Sequence, residues 1–377
     1  MNFHLAWVFF CIISASFIFG SRKNKIEPNR ELNIDGLRYL LAAFVVFHHN
    51  DISKAYFETG KWALNDPILG YMGQFGVAVF FMITGYLFGD IKKETNWISF
   101  LIKRFFRVVP LTYISAIICI SIATYVGIKL GNNADFTNVI YWFDGGLSGV
   151  KPPIYGFKDA QFIGAAVMWT LYWEWIFYFS LPLLSFAFNK KYTLGICIAA
   201  ISILAHTADF LKIPLHHASL LLFFAAGILI KNLKVISSSH SKIKSVLASL
   251  ILIYCLFVSN IHSAYNLTSF ILIGVFFLLV AKGGNLFGML STRGFVVLGD
   301  ASYSIYLLHG IAWFIMNKAS FHYGIQNNDV AYYAIQTFVW YAICFISLMS
   351  YKYFEKPFIS YGKKVASKFE ATYTKDA

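Results

Sequence analysis

Long apolar runs separated by short polar or basic stretches repeat along the whole chain. Eleven of them, at approximately 1–20, 36–53, 67–89, 108–128, 162–188, 192–211, 214–230, 245–260, 265–281, 295–316 and 330–351, approach the length of a membrane-crossing helix. A hydrocarbon core about 30 Å thick asks for ~20 residues at about 1.5 Å per residue. The period-two alternation of a membrane β-barrel is absent. The pattern therefore predicts an all-α, polytopic membrane helix bundle.

Composition supports this reading and removes its competitors. Of 377 residues, 58% are hydrophobic and 13% charged. A globular chain carries about 25% charged residues, roughly twice as many. Disorder, coiled coil and collagen are excluded on the same grounds. The 39 Phe, 23 Tyr and 9 Trp suit lipid-facing helices with aromatic residues at both interfaces.

The net charge of +13 would suggest nucleic acid if it were clustered on a soluble face. Its distribution follows the membrane instead. If 21–35 is cytoplasmic, so are 90–107, 189–191, 231–244, 282–294 and the tail from 352, and together with Arg38 these hold 24 of the 31 Lys and Arg. Short cytoplasmic loops keep positive charge, so the N-terminus is expected outside and the C-terminus inside, with anionic lipid rather than nucleic acid facing the basic loops. The first apolar run lacks a basic residue before it and is followed by Arg22, Lys23 and Lys25, which reads as an uncleaved anchor. The five cysteines sit in apolar spans with no CxxC and no His/Cys ligand spacing. Neither structural disulfides nor a metal site is expected.

Ionisable groups inside spans are expensive and mark function by default. Arg38 and His49 are eleven residues apart in the sequence. That is three helical turns and about 20°, which places both on one stripe about 16 Å apart. His48 points about a quarter-turn away. A snorkelling Arg38 and a His49 satisfied by a neighbouring helix fit the spacing equally. Glu174 lies deep in its span and must be protonated, paired or lining a wet cavity. Arg104 and Arg107 share a helix face and could grip phosphate in fork geometry, or serve as a positive-inside anchor. Ser302, Tyr306 and His309 form a polar stripe at i, i+4 and i+7, a pattern that often simply joins helices. In the longest outer loop, about 129–161, Trp142 and Tyr155 could stack on a sugar ring or form an interfacial aromatic belt.

In this order the segments resemble the acyltransferase 3 family of integral membrane acyltransferases. The resemblance rests on Asp35-Gly36-Leu37-Arg38 with His49, Phe75-Gly76-Val77 through Phe80-Phe81-Met82-Ile83-Thr84-Gly85-Tyr86-Leu87, and Arg104-x-x-Arg107 with Pro110. Trp169-Thr170-Leu171 with Glu174, Tyr303-Ser304-Ile305-Tyr306-Leu307-Leu308-His309 and Glu355-Lys356-Pro357 complete it. It spans roughly 33–360, leaving 1–20 as an added N-terminal transmembrane anchor and 361–377 as a cytoplasmic tail. Ala78 departs from the family, which often has a polar residue there.

The resemblance implies ten core helices in a bacterial inner membrane and transfer of an acyl group, usually acetyl, from cytoplasmic acyl-CoA to a hydroxyl of an extracytoplasmic glycan such as O-antigen, lipopolysaccharide or exopolysaccharide. It assigns catalysis to His49, Arg38 and Glu174 and acyl-CoA binding to Arg104 and Arg107. By residue type and placement rather than by the resemblance, Asp35, Ser302, Tyr306 and His309 would lend polar support, and Trp142 and Tyr155 would face the acceptor. Acyl-CoA is then a donor substrate, with no permanently bound cofactor and no metal. On the residues alone, a proton-coupled transporter would also need an intramembrane His, Glu and Arg, and coenzyme A binding separates the two. A non-catalytic scaffold in glycan assembly is the third reading; it would tolerate His49→Ala.

Overall fold

A computed structural model describes residues 3–20, 30–92, 94–187, 215–233, 241–258 and 263–373. The run 192–211, the basic positions 22–25 and 189–191, and Cys197 lie outside the described residues. The protein is an all-α membrane helix bundle, with no strand among the described residues. Its helices are α1 (Phe3–Gly20), α2 (Leu32–Thr59), α3 (Pro67–Phe88), α4 (Trp97–Lys129), α5 (Met168–Ala187) and α6 (Leu215–Asn232), followed by α7 (Ser241–Ile253), α8 (Leu267–Ala281), α9 (Arg293–Asp300), α10 (Ser302–His322), α11 (Asp329–Ser350) and α12 (Lys356–Tyr373). Among the described residues five helices are long and apolar enough to cross a membrane, and six if the bent pair α9–α10 is one span.

Several boundaries differ from the apolar runs for physical reasons. Hydropathy ends at a charge, but a helix ends where its backbone hydrogen bonds end. Thus α4 begins at Trp97, where the Asn96 side chain accepts from the Ser99 N–H at 2.9 Å, satisfying a donor that the first turn leaves unpaired. Arg104 and Arg107 therefore ride on a continuous helix that also contains Pro110. The run 295–316 is bent by 73° between α9 and α10. Beyond Ser350 the chain makes a π-helical turn, Tyr351–Glu355, and continues as α12.

The chain forms two compact units. One comprises Met1–His48, Asp66–Lys93 and Ser180–Asp300. In it α3 and α6 cross at van der Waals distance, because Gly85 and Gly227 lack side chains. A Cβ on Gly227 would sit 2.0 Å from the Met82 carbonyl oxygen, and one on Gly85 2.1 Å from that of Phe224. Small residues at such crossings supply the packing that lipid cannot drive by the hydrophobic effect. Arg30 joins the ends of two helices here, 2.8 Å from Asp35 at the start of α2 and 2.5 Å from Asp300 at the end of α9.

The other unit comprises His49–Asn65, Glu94–Phe179 and Ala301–Ala377. Here α12 lies along the first half of α4, tied by Glu370 to Lys103 at 2.8 Å and to Ser99 at 2.5 Å. The loop between α4 and α5 folds over a core of Ala123, Trp142, Ile154, Phe157 and Phe314.

Candidate active site

All the polar residues singled out by sequence, except Asp35, Arg38 and His48, fall in the second unit. In it the Nε2 of His309 lies 3.0 Å from Nδ1 of His49. The two rings stack at 29° with centroids 5.0 Å apart. His309 is fully buried, and its Nδ1 lies 3.2 Å from the Ile305 carbonyl oxygen one turn back.

Neighbouring contacts fix the helix that carries His309. The Tyr306 hydroxyl bonds to Thr170 Oγ1 at 2.6 Å. Gly310 seats α10 against the loop before α5, where an added Cβ would meet Gly164 C at 2.4 Å and Ala165 N at 2.5 Å. On the opposite face Ser304 bonds to Ser350 Oγ at 2.9 Å and to the carboxylate of Glu355, a buried acid in the π-helical turn. Ser302 is buried, and its hydroxyl has no hydrogen-bond partner among the described residues.

A second cluster gathers α4, α5 and α10. The Tyr178 hydroxyl donates to Glu174, one turn away on α5. The Arg104 guanidinium lies 5.9 Å from the Tyr178 ring centroid and 5.6 Å from that of Phe100. Arg107 acts electrostatically on both Tyr178 and Tyr303, and Tyr303 is also within reach of Glu174 and Glu355. The Tyr303 hydroxyl donates to the Val108 carbonyl at 2.8 Å, one residue past Arg107. The two arginines and Glu174 thus share one environment, with Glu174 hydrogen-bonded to Tyr178 and His49 to His309.

A polar ladder continues one turn past His49. Ser53 Oγ accepts from Asn317 Nδ2 at 3.0 Å, and Asn317 Oδ1 accepts from the Tyr332 hydroxyl at 2.7 Å. These residues are uncharged, so a search for ionisable groups in spans passes over them. Buried amides within apolar runs were the available signal.

The loop between α4 and α5 corrects one expectation. Trp142 is 3% exposed and donates its indole N–H to the Pro152 carbonyl at 3.1 Å. Its ring packs inward because a buried indole brings a large apolar area to a small loop core, so it offers no open stacking platform. Tyr155 holds a left-handed backbone, φ 50°, and its ring meets that of Phe136 edge-on. Lys151 is buried and reaches Asp144 at 2.5 Å and the Tyr141 carbonyl at 3.1 Å. Burial pushes the Asp144 carboxyl up, but Lys151, Ser148 and the Gly146 N–H outweigh it and hold it below the usual carboxylate range, since hydrogen bonds and a nearby cation favour the ionised form. Trp142, Lys151, Gln161, Gly164 and Val167 line a small pocket of about 10 Å³, room for about one water. Ala165 and Ala166 beside it are both left-handed, at φ 55° and 52°. L-residues rarely hold that strain without a reason.

In the first unit, Arg38 lies close enough to Asp35 to interact electrostatically, and Asp35 is held by Arg30. The structure thus gives Asp35 a structural partner at the start of α2.

An all-α membrane bundle in which a buried imidazole stacks on a half-buried one, beside a cluster of two arginines and a carboxylate, defines a polytopic membrane protein with a polar site among its helices. Residues 31–349 match the family model for the acyltransferase domain of acyltransferase 3, and the chain belongs to this family of membrane acyltransferases. Neither a curated protein nor a solved structure matches the chain.

Proposed function

We propose that this acyltransferase moves an acyl group, most simply acetyl, from cytoplasmic acyl-CoA to a hydroxyl of an extracytoplasmic glycan of the O-antigen, lipopolysaccharide or exopolysaccharide class. In this reading the chain lies in a bacterial inner membrane with its N-terminus outside and its C-terminus in the cytoplasm. The observation that carries the reading is the half-buried His49 imidazole, held by a hydrogen bond to the buried His309 at 3.0 Å. Such an imidazole can take a proton from an acceptor hydroxyl in the transition state.

The transfer balances without metal or ATP. The hydroxyl gives its proton to His49 as its oxygen attacks the thioester carbonyl, the C–O bond forms, and the C–S bond breaks. The proton then passes from His49 to the departing thiolate. Arg104 and Arg107 face the donor phosphates, since forked guanidiniums suit phosphate oxygens. Glu174 and Tyr178 hold the wall beside them. Arg38, three turns before His49 on α2, is assigned to the donor by the family's pattern alone. The acceptor approaches from the side of the loop between α4 and α5, where Gly164 touches Gly310, next to His309. Asp144 compensates the Lys151 charge there, which fits a neutral sugar.

The test is transfer itself. The full chain in proteoliposomes, supplied with labelled acetyl-CoA and envelope glycan from a host strain lacking the gene, should form an alkali-labile glycan ester. Saturable label on glycan supports the reading; no label on glycan with fresh protein and donor contradicts it.

A further inference from the structure

The hydrogen-bond donors around the imidazole pair are fixed by elementary chemistry. A carbonyl oxygen can only accept. Nδ1 of His309 lies 3.2 Å from the Ile305 carbonyl oxygen, so it carries the hydrogen. In a neutral His309 the other nitrogen, Nε2, is then a bare lone pair. Nε2 faces Nδ1 of His49 at 3.0 Å, so Nδ1 of His49 must supply the hydrogen between them. A neutral His49 with hydrogen on Nδ1 has its lone pair on Nε2, the nitrogen on the far side of the ring from His309. Protonating His309 would reverse the bond, place the His49 hydrogen on Nε2, and remove the base.

We infer that His309 is a positioning residue that sets the tautomer of His49, so that Nε2 of His49 is the nitrogen that takes the acceptor's proton. This rests on the transferase reading above. A residue that fixes tautomer and ring orientation can matter as much as the base it serves, because the wrong tautomer presents a hydrogen where a lone pair is needed. The surroundings are built for it: His309 is fully buried, its helix is held by Tyr306 on Thr170, and Gly310 seats the next residue against Gly164 and Ala165. When Nε2 of His49 gains the hydroxyl proton, the Nδ1–H to Nε2 bond to His309 strengthens as the donor becomes cationic.

Two variants and one spectrum test this in the full chain. His309→Phe keeps a flat ring and removes the acceptor; His309→Gln keeps an acceptor oxygen close to the place of Nε2. With acetyl-CoA as donor and envelope glycan from a strain lacking the gene as acceptor, His309→Phe should lower kcat about a hundredfold or more, the lower end of general-base effects. The KM for acetyl-CoA should stay within about twofold in both variants, and His309→Gln should recover at least about tenfold of the lost kcat. Near-native turnover in His309→Phe, or a His309→Gln no better than His309→Phe, overturns the assignment. Protein with ¹⁵N-labelled histidine, assigned through His49→Gln, gives a readout independent of turnover. Neutral His49 should show a protonated Nδ1 and a bare Nε2 in the native chain, and lose that bias in His309→Phe. A protonated Nε2 on neutral native His49 overturns the inference even if transfer is observed. A native chain with the expected tautomer but no transfer would instead bring down the transferase reading.

Discussion

Replacing Gly310 by Ala probes the packing that places His309. The new Cβ would stand 2.4 Å from Gly164 C and 2.5 Å from Ala165 N, where ordinary contacts begin at 3.4 Å. The loop it meets already holds left-handed backbone at Ala165 and Ala166. About 1 Å of separation must therefore be created between α10 and a strained segment. The opposing atoms are backbone, so no side chain can swing aside. Overpacking of this kind costs roughly 1–3 kcal/mol. For a cooperative unit of about 200 residues, about 1 kcal/mol moves Tm by roughly 2–4 °C, so the full chain in detergent should melt roughly 2–12 °C lower. Gly164→Ala is the control across the same contact. Gly164 has φ −92°, and its added Cβ would rest 3.5 Å from Cys119 Sγ, an ordinary contact. Thermal unfolding should therefore rank Gly310→Ala well below Gly164→Ala. Acetyl transfer should fall in Gly310→Ala, since the shift displaces the residue beside His309. Equal melting of both variants, or Gly310→Ala within about 1 °C of native, would refute the packing argument.

Asp144→Asn leaves Lys151 charged and buried, while Asp144 itself is partly exposed. It should therefore destabilise the loop toward the lower end of the ~3–5 kcal/mol seen when one partner of a buried pair is removed; Lys151→Met should be close to neutral, and thermal melts compare the two. The folded Asp144 carboxyl is held below its usual range. Its contribution is accordingly complete above about pH 4 and is lost as pH falls through the folded value. A melting series in acid would show Tm falling faster in the native chain than in Asp144→Asn. Arg104→Lys with Arg107→Lys should weaken acetyl-CoA binding in a calorimetric titration while membrane insertion persists, and an unchanged affinity would reduce the pair to an anchor. Single cysteines at Ser148 and Ser367 should react with an impermeant thiol reagent in intact cells only at Ser148; the reverse pattern would invert the topology.

The long apolar runs made the helices legible in the sequence, because a helix alone in lipid must satisfy its own backbone. Their ends were less legible, since α4 continues through Lys103, Arg104 and Arg107, charges that a hydropathy window treats as loop. The end of α9 at Asp300 was hidden for another reason: Arg30, which holds Asp300, lies 270 positions earlier in the chain. At the site, helical spacing placed Tyr306 and His309 on one stripe, but not what the stripe meets. The partner of His309 is His49, 260 residues earlier, and only tertiary packing brings them together. Local spacing could have found Tyr178, which lies i+4 from Glu174 and donates to it. Trp142 was unreadable, because an aromatic in a polar loop looks the same in sequence whether its ring turns outward or, as here, inward.

Transfer depends on His49 acting as the base. His49→Ala, expressed at native level in the full chain, should lose acetyl transfer to glycan by about a hundredfold or more, while acetyl-CoA still binds with native affinity. Glycan acetylation at the native rate by this variant would contradict the central claim.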